Sequence, residues 1–179
     1  MKKNIIVFGS IAGFIVSAVM AVSMLLFSKN PNFEGGMVLG YTSMLIAFTF
    51  IFVGIKNFRD KYNDGVITFG RGFKIGLFIA LIASTFYVIT WVIEFNFFIP
   101  DFMDAYGEHM VKQVKESGAS QIEIDKQIAE MAKYKEMYKN PLFMVLLTYM
   151  EILPVGLLVS VVSALILKRK EKKEATPTQ

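Results

Sequence analysis

The chain has 179 residues, 54% hydrophobic and 19% charged, with a formal net charge of +4 and no cysteine. A soluble domain of this length usually carries about a quarter charged residues, so the apolar surplus points to lipid as part of the solvent. The missing cysteines exclude a disulfide framework, a thiolate metal site, a thiol nucleophile and a lipidated N-terminal cysteine.

Ile5 to Phe27 is a run of 23 residues without a charged side chain. About 20 apolar residues cross roughly 30 Å of hydrocarbon as a helix, and this run predicts a first membrane span. Lys2 and Lys3 ahead of it would also suit a signal peptide, but such a core is about 7 to 15 residues long and ends in a small-residue cleavage site. This run ends in Phe27-Ser28-Lys29-Asn30-Pro31 instead. Met37 to Ile55 and Ile75 to Ile93 are uncharged runs of 19 residues each, and Leu142 to Leu167 is interrupted only by Glu151 and Pro154. In lipid a helix satisfies its own backbone, whereas barrel strands would show alternating polarity in segments of about ten residues, a pattern this chain lacks. The expectation is an all-α integral membrane protein: a single domain built as a four-transmembrane-helix bundle, with spans at about 5–27, 37–55, 75–93 and 142–167.

Lysine and arginine in short flanks are retained on the cytoplasmic side. The N-terminus, the segment between spans two and three (Lys56, Arg59, Lys61, Arg71, Lys74) and the tail 168–179 hold 12 of the 19 cations. Against them stand Asp60, Asp64, Glu171 and Glu174. The opposite side carries the turn Ser28 to Gly36 and the long segment 94–141, the latter with six lysines against nine acids. Both termini are therefore expected in the cytoplasm, and the protein in a bacterial inner membrane. An acid-rich outer segment does not suit nucleic acid.

Small residues recur every fourth position: Gly9, Gly13, Ser17 and Ala21; Gly72, Gly76, Ala80 and Ser84; Gly156, Ser160 and Ala164. Such stripes let helix backbones approach closely. They predict a compact bundle, or a homo-oligomer seam on one stripe. The glycine-rich basic loop 64–74 has neither the strand nor the spacing of a phosphate cradle. It reads as an interfacial turn, with Phe69 and Phe73 at the acyl boundary and Arg71 and Lys74 toward anionic headgroups.

In the outer segment, Phe102, Met103, Tyr106, Met110 and Val114 share one helical face between Asp101 and Glu116. Ser117-Gly118 stops that helix, and Ser120 with Glu123 has capping-box spacing for a second one running to about Lys139, before Asn140-Pro141. On the second helix Ile124, Ile128, Met131 and Tyr138 are expected on one side. The pair reads as an extracytoplasmic amphipathic hairpin, a cap over the bundle or a surface for a membrane or periplasmic protein partner through 101–139.

Two carboxylates fall in or beside the spans. At about 1.5 Å per residue, Glu94 lies roughly 30 Å above Lys74 and Glu151 roughly 25 Å above Lys168, near the outer rim. Pro154 leaves the carbonyl of Met150 without its helical donor and is expected to kink the span, widening a polar pocket with Tyr87, Trp91, Tyr149 and His109 as neighbours. Glu94, Glu151, Tyr149 and Trp91 thus form the candidate polar membrane site. One reading makes the carboxylates interfacial groups bonded to tyrosine or water; the other makes them an outward-facing proton or cation site. The sole histidine, His109, allows no histidine-pair metal site, and no cofactor is expected.

Gly40-Tyr41-Thr42-Ser43-Met44 through Gly54-Ile55-Lys56-Asn57-Phe58-Arg59-Asp60, then Thr68-Phe69-Gly70-Arg71-Gly72-Phe73-Lys74-Ile75-Gly76, resemble the bacterial membrane family called domain of unknown function 4199. So do Lys135-Glu136-Met137-Tyr138-Lys139-Asn140-Pro141-Leu142-Phe143, Glu151-Ile152-Leu153-Pro154-Val155-Gly156 and Lys168-Arg169-Lys170. The resemblance covers nearly the whole chain. It implies a four-span inner-membrane protein and supplies no activity, cofactor or catalytic residue. The functional expectation is a noncatalytic membrane component or assembly partner. The alternative is a small transporter or ion-coupled protein using Glu94 and Glu151; an intramembrane enzyme comes last, since no catalytic pair is visible.

Overall fold

The structure, a computed structural model, describes residues 1–27 and 33–169. Residues 28–32 of the expected outer turn and the basic tail from Lys170 lie outside the described residues. Six helices follow one another: α1 Lys2–Phe27, α2 Phe33–Tyr62, α3 Phe69–Phe97, α4 Phe102–Glu116, α5 Gln121–Tyr138 and α6 Pro141–Leu167. Four of them, α1, α2, α3 and α6, are long and apolar enough to cross a membrane. Among the described residues there is no strand.

The helices begin and end where local chemistry dictates. Thr68 accepts a bond from the Arg71 amide at the start of α3, and Asn140 caps α6 ahead of Pro141. Ser120 and Glu123 form the expected capping box reciprocally. Those bonds from Ser120 hold the Glu123 carboxyl below its ordinary range. Helix α2 is stopped by two residues in the left-handed region, Asp64 (φ 50°) and Gly65 (φ 75°), with the Gly65 amide bonded back to the Arg59 carbonyl at 2.9 Å. Pro154 does not interrupt α6, which stays helical through it with the proline exposed on the outer face.

Helix α3 is the hub, packed against α1, α2 and α6, and α2 closes the bundle by meeting α1 and α6. The small-residue stripes make these contacts. On the α3–α6 seam a Cβ on Gly76 would lie 2.9 Å from the Ser160 Cβ, and one on Gly156 would lie 2.8 Å from the Ala80 Cβ. On the α1–α3 seam, Gly9 receives Ile82 and Gly13 receives Phe86. The stripes that could have served a second copy are thus filled within one chain. Between the seams Phe48, Ile51, Ile55, Ile79 and Ile152 are completely buried.

The outward faces of the same helices are as apolar as the core, with Phe14 71%, Val38 69% and Ile166 65% exposed. A helix in water would turn polar side chains outward. In lipid, association gains nothing from burying oil, so close packing must hold the helices together. Polar side chains on these helices turn back onto their own carbonyls: Thr49 to Ile46, Thr85 to Leu81, Thr148 to Met144 and Ser160 to Gly156.

From Phe69 onward the segment 64–74 belongs to α3, and of its two basic groups Lys74 is exposed while Arg71 is engaged within the chain: it donates to the Asn63 side chain at 2.9 Å and lies over the Phe58 ring. Ile67 and Arg169 exchange two backbone bonds, 3.0 and 2.8 Å, tying this loop to the end of α6. Arg59 donates to the Leu167 carbonyl there, satisfying one of the unpaired carbonyls of the helix end.

The seam geometry predicts a contrast between two glycine-to-alanine changes. Gly156→Ala drives a methyl into Ala80 and Phe48 and should lower unfolding stability in detergent by about 1–3 kcal/mol, the usual cost of overpacking. Gly70→Ala, with nothing within 4 Å of its would-be Cβ, should leave stability unchanged or slightly raised.

Candidate functional site

Above the seams the bundle opens. One face of α3 carries Ser84, Tyr87, Val88, Trp91 and Glu94, all buried, at the spacing that places them in line up the helix. Beyond this line the chain turns at Ile99 into α4, and the α4–α5 hairpin leans back over the bundle end. An aromatic cluster pins its base. Trp91 meets Phe102 edge-on at 5.0 Å between centroids, and Phe95 meets Tyr138 at 5.2 Å. The Trp91 indole donates to the Tyr138 hydroxyl at 3.2 Å. Burial raises the Tyr138 phenol above its ordinary range, so it stays protonated near neutral pH.

Farther out, the hairpin holds itself together. Gly107 lets the Met131 side chain approach α4, and Lys135 pairs with Asp104 across the two helices. Of the face expected on α5, Tyr138 is buried and Ile124 and Met131 half-buried, but Ile128 is exposed. Ile122 is 81% exposed near the tip of the hairpin.

Between the hairpin and the bundle lies a cavity of about 500 Å³ to which all six helices contribute. Val19, Met20, Ser23 and Met24 come from α1; Met37, Tyr41 and Ser43 from α2. Tyr87 and Trp91 of α3 form the back, and Phe102, Met103, Tyr106, Met131 and Tyr134 of the hairpin form the roof. Helix α6 supplies Leu147 and Glu151. Met37, Tyr41, Tyr134, Leu147 and Glu151 are exposed, and these residues mark the mouth. A second cavity of about 300 Å³ adjoins the first, sharing Tyr138, Leu147 and Glu151. The volume and the mostly apolar wall fall within the range of small-molecule sites.

Among the described residues Glu151 carries the only carboxylate of this wall. Its bonded partner is the Tyr87 hydroxyl, which donates to Oε1 at 3.4 Å. No described lysine, arginine or histidine lines either cavity. Ser43 has its hydroxyl bonded to the Gly40 carbonyl.

The four residues expected to form one polar site are therefore divided. Glu151 and Trp91 stand together at the cavity. Glu94 does not line it: it is 6% exposed, with Oε2 unpaired among the described residues. It is thus no rim carboxylate reaching water, although it stands where the chain begins to turn back, with the Phe98 and Ile99 amides bonded to its backbone carbonyl. Tyr149 sits on another side of α6, where its hydroxyl meets the Thr85 hydroxyl at 2.9 Å. His109 is not part of the cavity wall either. Sequence reasoning missed the contributions of α1 and α2, whose methionines and tyrosine carry no local signature in the sequence. Among the described residues no group of three or more His, Asp and Glu gathers as a metal set.

The model of a family described as a protein of unknown function, DUF4199, matches residues 7–169. The chain belongs to this family. The DUF4199 match includes the seams, the hairpin and every residue of the cavity wall. No curated protein and no solved structure matches the chain.

Tyr138→Phe removes the acceptor of the Trp91 indole and leaves a buried N–H unpaired. Unfolding in detergent should show a loss of about 1–3 kcal/mol, accompanied by a shift in the emission of Trp91, the only tryptophan. An unchanged spectrum and stability would mean that the aromatic pin does not hold the hairpin.

Proposed function

We propose that the protein is a noncatalytic component of a bacterial inner membrane, crossing it four times with both termini in the cytoplasm, and that it works by binding a ligand in the cavity beneath an extracytoplasmic α4–α5 hairpin. The observation that carries this reading is the cavity itself: one end of α1, α2, α3 and α6 and the base of the α4–α5 hairpin form one half-open chamber with, among the described residues, a single carboxylate on its wall. The orientation rests on the cations at the end of α2, at the start of α3 and in the tail, set against the acid-rich hairpin. The mouth, at Leu147 and Glu151, lies roughly 25 to 30 Å along α6 from its cytoplasmic end, close to the outer limit of the hydrocarbon.

A second reading, an ion-coupled transporter, is favoured by Glu94, a carboxylate buried beside the chamber with one oxygen unpaired. It would require a path inward. Below Tyr87 the helices close on Ser84, Ile152, Ala80 and Ser160, all with no exposed surface, so transport would have to part the α3–α6 seam. Binding needs no such movement. Contact with a membrane or periplasmic protein through 101–139, by way of exposed Ile122 and Ile128, is compatible with both readings.

The placement is tested in intact cells. A membrane-impermeant maleimide should label Lys133→Cys on the hairpin and leave Lys61→Cys, in the last turn of α2, unlabelled until the cells are permeabilised. Both positions are exposed, and the chain has no cysteine of its own to compete. The reverse pattern would overturn the orientation, and with it the outward cavity.

A further inference from the structure

We infer that the cavity beneath the hairpin is a site for a lipophilic organic cation, a free molecule with an aromatic or branched apolar body around a quaternary or protonated nitrogen. This rests on the reading of the cavity as a binding site and names what it takes. Among the described residues Glu151 is the one charged group on the wall, and its described partner is a neutral hydroxyl, Tyr87, at 3.4 Å. A carboxylate at the mouth of an apolar chamber is stabilised by a positive counter-charge, and the described residues of neither chamber provide one.

The rest of the wall suits the same guest. Tyr41, Tyr87, Trp91, Tyr106 and Tyr134 present rings around the space, and ring faces attract a poorly hydrated cation far more than an anion. Methionines on α1, α2, α4 and α5 complete a wall that adapts to bulky apolar shapes. A zwitterionic lipid headgroup fits less well, since its phosphate would find no basic side chain among the described residues of the wall. The mouth at the level of Tyr41 and Glu151 is placed where a lipophilic cation concentrates, at the boundary between hydrocarbon and water.

Tetraphenylphosphonium and tetraphenylborate share one shape and carry opposite charges, and Trp91 reports from the cavity wall. In the full chain purified in detergent, tetraphenylphosphonium should produce a saturable change in Trp91 emission, and tetraphenylborate should not. Glu151→Gln should weaken the cation at least tenfold. Tyr134→Ala, which removes an exposed ring and spares the core, should weaken it roughly two- to thirtyfold, the span expected for one cation–ring contact. Equal saturable binding of both ions, or full affinity in Glu151→Gln, would overturn the charge assignment while leaving the cavity reading intact. No saturable response to either ion would overturn both. Displacement of tetraphenylphosphonium by a short-chain phosphatidylcholine at comparable concentration would overturn the assignment to a free cation.

Discussion

The closeness of α3 to its neighbours is the constraint on which the rest depends. Gly76 against Ser160, Gly156 against Ala80, and Gly9 and Gly13 against Ile82 and Phe86 leave no room for a methyl group between helices. In a hydrocarbon solvent the usual incentive to bury apolar surface is absent, and dispersion contacts at such short range replace it. The lower two thirds of the bundle are therefore tightly closed. Its basic end is tied as well, by the Arg59 bond to Leu167 and the Ile67–Arg169 bridge.

The upper third follows from what the seam does not reach. Toward the outer end the small residues of α3 give way to Tyr87, Trp91 and Glu94, side chains too large for backbone contact, and the helices part around them. Aromatic packing of Phe102 and Tyr138 onto α3 then sets the hairpin across the gap at a distance fixed by ring thickness. The chamber is the space left between a closed seam and a propped roof. Among the described residues its chemistry is that of large apolar side chains plus one carboxylate, because that is what the hairpin-side turns of α1, α2, α3 and α6 and the base of α4–α5 bring there.

Much of this was legible in the chain. Four uncharged runs marked the long helices, although the helices extend past them at both ends of α2 and α3, since lysines, arginines and glycines continue a helix beyond the oily stretch. The stripes at spacing four named the seam residues, and Ser120 with Glu123 named the start of α5. The site was half legible. Glu151 and Trp91 were found, but Tyr149 was grouped with them by nearness in sequence; two residues from Glu151, it points about 200° away around the helix. Glu94 was placed at a wet rim because distance along α3 says nothing about how far the folded chain buries it. Met20, Met37 and Tyr41 carry no local signature at all. Their place in the wall comes from how α1 and α2 diverge, which only the assembled bundle determines.

The account's central claim, a closed seam beneath an open chamber, is tested most directly by the thiol reactivity of two single-cysteine variants of the folded protein. Ser23→Cys stands half-buried in the cavity wall and Ser160→Cys in the α3–α6 seam, each nearly the size of the serine it replaces. A water-soluble maleimide should modify the first under native conditions and reach the second only after denaturation. Comparable rates at the two positions, in variants that unfold at the same temperature as the parent, would contradict it.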